Sequence, residues 1–292
     1  MAAPAVRKIQ EQIIGSIWFM CAIFAVLAVC FILGYLLLNG YPAFMQVSLT
    51  DFLFGGRWDP TGTPPGYGIF PLVIGTILVM TGAMALAVPL GVASAIFISE
   101  LAGPRLRTLI KPAVELLAGI PSVVYGFFGL VVLTNWIRIS LNLPTGETWL
   151  AGSVLLGIMA LPTIVSVSED AINSVPREYK EGSLAAGATG WQTISRVILP
   201  SALSGITAAV ILGIGRAIGE TMAVLMVTGN AAVVPQPFWN VLSPIRTLTA
   251  TLGIETGEVP IGSLHYHALF GIAVILLIIT LIINLSATVI LN

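Results

Sequence analysis

Charged side chains are scarce in this sequence. Lysine, arginine, aspartate and glutamate together make 9% of the 292 residues, against about 25% in a soluble domain. Too few polar groups remain to cover a water-facing surface, so an ordinary soluble domain is excluded. Neither sign of charge dominates: 12 basic and 13 acidic residues leave a formal net charge of −1, which excludes a basic nucleic-acid-binding surface. Cysteine is limited to Cys21 and Cys30, in one apolar run. Their separation fits neither a disulfide nor a metal pair, and both read as small core hydrophobes. Histidine is limited to His265 and His267, whose spacing suits an extended, solvated segment better than a metal site. Enzyme signatures are missing as well. The dipeptide Gly-Lys never occurs, so there is no Walker A sequence, and H-E-x-x-H, C-x-x-C and G-x-S-x-G are absent. If the chain works in active transport, its energy comes from a partner or an ion gradient.

What the sequence has instead is apolar length. Hydrophobic residues make 57% of the chain, and they fall into six runs at 13–38, 69–99, 114–136, 150–167, 203–227 and 268–290. Each is near or above the roughly 20 residues that cross a bilayer. Backbone polar groups in lipid must be satisfied within their own segment, so the expected class is an all-α membrane protein with about six transmembrane helices. The first run is longer than a signal-peptide core and lacks a small-x-small cleavage pattern, so it reads as a retained helix. Pro71 and Pro89 predict a tilt, a kink or an interfacial start in the second. With the N-terminus inside, Arg7, Lys8, Arg105, Arg107, Lys111, Arg177, Lys180 and Arg196 are cytoplasmic, and Arg57, Arg138 and Arg246 are outside. That positive-inside bias places both termini in the cytoplasm. Trp18, Trp136 and Trp149 stand near span ends as interface anchors. The expected division is an N-terminal helix and outer loop over 1–68 and a permease core over 69–292.

The polar segment at about 168–200 lies inside on this topology. Pro176 suits a helix first turn and Gly187 a C-terminal cap, which predicts a short helix from about Arg177 to Ala186. A turn at Gly187–Gly190 leads to a second helix near Trp191, and Pro200 marks the bend into span five. Glu181, Gly187, Val197, Leu199 and Pro200 fit the spacing E-A-A-x3-G-x9-I-x-L-P. This resembles the EAA loop of ATP-binding-cassette import permeases. Gly182-Ser183 stands in place of Ala-Ala, and Val197 in place of Ile. The resemblance implies a coupling helix that docks into a cytoplasmic ATPase subunit.

Span five holds Arg216 and Glu220, four apart and thus able to pair on one helical face. Charges at that depth face protein or a water-filled path. Arginine suits an oxyanion because its fork donates two hydrogen bonds together, and Glu220 would neutralise it when the path is empty. The rival reading, a structural ion pair fixing helix packing, is equally compatible with the physics. Further on, Lys111 and Glu115 sit at i,i+4 spacing as an interfacial pair, with a contact to an ATPase or a gate as the rival. Gly119-Ile120-Pro121-Ser122 is expected to break span three within the membrane. Ser122, Tyr125 and Thr221 are then candidates for lining the path.

The run Gly215-Arg216-Ala217-Ile218-Gly219-Glu220-Thr221-Met222-Ala223-Val224 is similar to the signature of phosphate importer permeases. So are Trp58-Asp59-Pro60, Tyr67-Gly68-Ile69-Phe70-Pro71 and Glu115-Leu116-Leu117-Ala118-Gly119-Ile120-Pro121-Ser122. The Met-Ala-Val continuation and Gly229-Asn230 resemble the PstC type. The resemblance implies a type I ABC importer (MetI-like) fold in a bacterial inner membrane, with Arg216 and Glu220 in the substrate path. It also implies a PstA-type second permease, two ATP-binding subunits that hold the ATP and magnesium, and an external phosphate-binding protein. No cofactor is expected in this chain. Sulfate, molybdate or another oxyanion as cargo, a gradient-driven carrier without an ATPase, and a non-transporting sensor are the alternatives.

Overall fold

A computed structural model describes the backbone of residues 4–291 and the side chains of residues 11–286. The side chains of Arg7 and Lys8, which enter the orientation argument, lie outside the described residues. Among the described residues, six helical stretches are long and apolar enough to cross a membrane, in line with the six runs of the sequence. The first, α1 (Pro4–Gln46), is followed by a short helix, α2 (Leu49–Phe54), and a two-stranded hairpin. In that hairpin β1 (Trp58–Asp59) pairs antiparallel with β2 (Gly66–Tyr67). Helix α3 (Phe70–Ile96) then begins with Pro71 in its first turn, where the missing N–H costs nothing. It runs on through a π-turn at Phe97–Leu101.

Next comes α4 (Pro104–Ala118), an amphipathic helix with no buried residue. The chain breaks at Gly119–Pro121 as expected, but this puts the membrane crossing later than the apolar run suggested. The crossing spans Ser122–Ser140, made of α5 (Ser122–Phe128), a π-turn at Gly129–Leu133 and α6 (Thr134–Ser140). Helix α7 (Trp149–Asn173) follows, with the Thr148 hydroxyl capping its first turn by accepting from the Ala151 N–H. Ser168 to Asn173, expected in the polar loop, are its last turns.

The elbow is α8 (Arg177–Ala185), a turn in which Gly187 has φ +84°, and α9 (Gly190–Thr193). Thr189 and Gln192 form a reciprocal capping box at the start of α9. Helical structure is not interrupted at Pro200. A π-turn at Ile194–Ile198 widens the helix, and Pro200 sits in the first turn of α10 (Leu199–Gly219), so one helical stretch runs from Gly190 to Gly219. Helix α10 stops at Glu220, and α11 (Met222–Val227) is a separate short segment. A capping layer carries α12 (Leu248–Glu255), and α13 (Leu264–Leu291) closes the chain.

Helices α3, α7 and α10 form the centre, and small residues set how closely they approach. A Cβ at Gly91 of α3 would lie 2.7 Å from Ile164 Cγ2, and one at Gly213 of α10 would lie 2.9 Å from Ile164 Cδ1. Leu155, Leu156 and Met159 of α7 fill the space between with Val79, Ala83 and Ala217. A second apolar cluster unites Ala43, Phe52, Trp58 and Leu72 with Leu248, Leu269 and Ile272, fixing α1 and α13 to the capping layer. Helix α1 is otherwise outside the packed core, so Cys21 and Cys30 are exposed on its surface. They are not core residues, because the most apolar stretch of α1 is left unburied by the rest of the chain.

Candidate functional site

Arg216 occupies the last turn of α10, where the helix dipole favours a cation. Its Nη1 lies 3.5 Å from Thr163 Oγ1 on α7. Thr163 is fourteen positions from Trp149 and ten from Asn173. At 1.5 Å per residue it stands about 21 Å from one end of α7 and about 15 Å from the other. The half-buried guanidinium therefore stands near the middle of the α7 span. It takes part in no ion pair among the described residues.

The expected Arg216–Glu220 pair is not formed. Glu220 has left the helix, with φ −73° and ψ 124°, so the two side chains no longer share one helical face. Its Oε1 accepts the Ala223 N–H at 3.1 Å, capping α11. Its backbone carbonyl accepts the buried Thr249 hydroxyl of α12 at 2.9 Å. Thr221 packs against the same helix: a Cβ at Gly253 would meet its Cγ2 at 2.7 Å.

A second break faces this one. Helix α5 packs on α11 so tightly that a Cβ at Gly126 would lie 3.0 Å from Ala223 Cα. Tyr125 is buried among Ala217, Ala223 and Val224, within electrostatic reach of Arg216. Its hydroxyl donates to Leu117 O of α4 at 2.9 Å, tying the two sides of the Gly119–Pro121 break together. Ser122 is half-buried in the first turn of α5. The structure thus groups Arg216, Glu220, Thr221 and Tyr125 around two interrupted helices. The sequence reading missed Thr163 and Thr249. The only signal for Thr163 is a hydroxyl beside Pro162 inside an apolar run, and Thr249 carries none.

The elbow leaves Glu181 and Gly187 exposed, along with Tyr179, Leu184 and Trp191 at 55%, 45% and 67% exposure. Val197 and Leu199 are half-buried and Pro200 is exposed. The Ser183 and Thr193 hydroxyls, 3.0 Å apart, tie α8 to α9 within the elbow. Toward the core, Lys180 pairs with Glu100 in the first π-turn. Ile194 and Ile198 bury against Ala95 and Ile172.

Beside the elbow is a carboxylate that no motif or spacing singles out. Glu169 is 1% exposed and is held by Arg107 at 2.7 Å, Lys111 at 3.1 Å and the Asn173 amide at 3.1 Å. Lys111 also reaches Asp170 at 3.3 Å. The expected Lys111–Glu115 pair is therefore replaced by a clasp between α4 and α7, and Glu115 stays exposed. The hydrogen bond to Glu169 raises the Lys111 pKa above the ordinary lysine value, against an opposing effect of burial. At the opposite face Glu255 accepts from Trp58 Nε1 at 3.1 Å and Arg246 Nη1 at 2.7 Å, and meets His265 Nε2 at 2.8 Å. His267 Nδ1 lies 2.7 Å from Asn39 O. The two histidines belong to the first turn of α13, so they are bonded helix residues and not an extended, solvated pair.

Two interrupted helices thus meet around a mid-span arginine, with an exposed elbow at one face. Residues 87–292 match the family described as binding-protein-dependent transport system inner membrane component, and the chain belongs to that family. Within it, the chain is related to permeases of the PstC type. It is 33% identical over 310 residues to the phosphate transport system permease protein PstC of Mesorhizobium japonicum, covering 97% of this chain and 93% of that protein. It is also 41% identical over 261 residues to the probable ABC transporter permease protein YqgH of Bacillus subtilis (strain 168), covering 88% and 83%. Among solved structures, a bacterial ABC transporter involved in import of the acidic polysaccharide alginate matches with a TM-score of 0.62 at 16% identity. That match covers 97% of this chain and 98% of the other. The inward-facing MetNI methionine ABC transporter matches with a TM-score of 0.59 at 18% identity, covering 76% and 95%. The fold is that of type I ABC importer permeases, as the resemblance implied.

Proposed function

We propose that this chain is the membrane permease subunit of an ATP-driven importer of inorganic phosphate. The observation that carries the reading is Arg216: a half-buried, mid-span guanidinium without a carboxylate partner among the described residues, in a chain related along nearly its whole length to PstC permeases. A cation held at that depth without a counter-ion is suited to receive an anion in passing. A guanidinium fork matches a tetrahedral oxyanion. On this reading a PstA-type permease completes the path, two ATP-binding subunits supply the energy with ATP and magnesium, and an external phosphate-binding protein delivers the cargo. The elbow around Glu181, Gly187, Val197, Leu199 and Pro200 docks on the ATPase. The elbow face is then cytoplasmic, as are both termini, and the protein is multi-pass in a bacterial inner membrane.

Uptake of labelled phosphate into proteoliposomes containing the assembled complex tests this. ATP-dependent uptake that excess sulfate or molybdate leaves unaffected supports the reading. Equal competition by those anions would make the cargo a general oxyanion, and uptake without ATP or an ATPase would overturn the coupling.

A further inference from the structure

The interruption between α10 and α11 decides whether Arg216 is available. In a helix continuous through residue 220, Arg216 and Glu220 would be neighbours one turn apart and would neutralise each other. In the structure they are kept apart because Glu220 is extended. Ending a helix in an apolar surround exposes backbone groups that must find other partners. Here the Glu220 carbonyl is met by a side chain 29 positions away, the Thr249 hydroxyl at 2.9 Å. Thr249 is 5% exposed, so no bulk water stands ready to replace it.

Its own helix is anchored at both ends. The Leu248 N–H donates to Thr76 Oγ1 of α3 at 3.0 Å. At the far end, Glu255 is held by Trp58, Arg246 and His265. Gly253 lies between these ends, directly against Thr221.

We propose that Thr249 is a positioning residue for anion passage: by satisfying the Glu220 carbonyl it keeps α10 interrupted, and so keeps Glu220 from pairing with Arg216. The proposal rests on Arg216 being the anion step. Helix α12 thereby acts as a strut from the capping layer to the break after Arg216, and Thr249 is its hydrogen-bonded contact there.

The test uses the complete reconstituted complex and labelled inorganic phosphate. Thr249→Val removes the donor at nearly constant volume and is expected to lower phosphate moved per ATP hydrolysed about tenfold. Complex yield stays at the wild-type level. Thr249→Ser, which restores the hydroxyl, is expected to recover uptake to within about twofold of wild type. A Val variant that transports at the wild-type ratio, or a Ser variant as impaired as the Val variant, overturns the proposal. Should the Val variant not assemble, Thr249→Ala and Thr249→Ser decide, and equal ratios for those two also overturn it. Arg216→Gln separates the layers of the argument. Full uptake by that variant sinks the anion step itself, whereas loss of uptake beside a normal Thr249→Val sinks only the positioning role.

Discussion

Replacing both cations of the α4–α7 clasp with alanine strands Glu169, and the contacts let the cost be sized. The carboxylate is 1% exposed, and without Arg107 and Lys111 it would keep only the Asn173 amide as a partner. A buried charge stripped of its partners costs about 3–5 kcal/mol. The two cations are far less committed, at 39% and 35% exposure, so water screens each of them and either alone can return to solvent. Each single alanine variant, which leaves the other cation in place, is therefore expected to cost about 1–2 kcal/mol. The double variant should exceed the sum of the singles, because the second removal is the one that isolates the charge. Glu169→Leu removes the buried charge itself and releases two exposed cations to water, so it should be milder than the double variant. Denaturation midpoints of the purified chain in detergent, followed by tryptophan fluorescence, give this ranking. A double variant within about 1 kcal/mol of wild type, or Glu169→Leu as damaging as the double, would refute the reasoning.

Two further outcomes follow from the same geometry. The Lys111 pKa is raised in the folded chain, so its stabilising contribution is complete below the ordinary lysine value of 10.5 and is lost as pH climbs through the folded value. The stability difference between wild type and Lys111→Met should thus be constant from about pH 6 to 9 and shrink only in strongly alkaline buffer; a midpoint series across pH checks it. Gly187 holds φ +84° at the end of α8 with open space where a Cβ would stand. Gly187→Ala should therefore cost about 1–2 kcal/mol through backbone strain alone. Amide exchange of the elbow should quicken about tenfold, whereas Gly190→Ala, in a helical first turn with equally open space, should leave exchange unchanged.

The features legible in the sequence were those written by local chemistry. Six apolar runs gave the spans, Pro176 and Gly187 bracketed α8, and Gly119–Pro121 announced its own break. The features that escaped are made by partners distant in the chain. Arg216 and Glu220 have ideal helical spacing, with no proline between them, yet Glu220 leaves the helix, its carboxylate on the Ala223 N–H and its carbonyl on a threonine 29 positions later. Glu169 looks like a loop residue until Arg107, 62 positions earlier, folds against it. His265 and His267 read as solvated because nothing nearby in sequence reveals that Glu255 and Asn39 will receive them. Spacing shows which side chains can meet, and packing decides which do.

The central claim is that an unpaired Arg216 passes phosphate, and uptake by Arg216→Gln and Arg216→Lys in the assembled complex tests it most directly. Gln removes the charge and Lys keeps it without the fork. The account predicts a loss of about a hundredfold or more for Gln, partial activity for Lys, and normal assembly for both, because Arg216 holds no ion pair among the described residues whose loss would weaken the fold. Wild-type phosphate uptake by an assembled Arg216→Gln complex would contradict it.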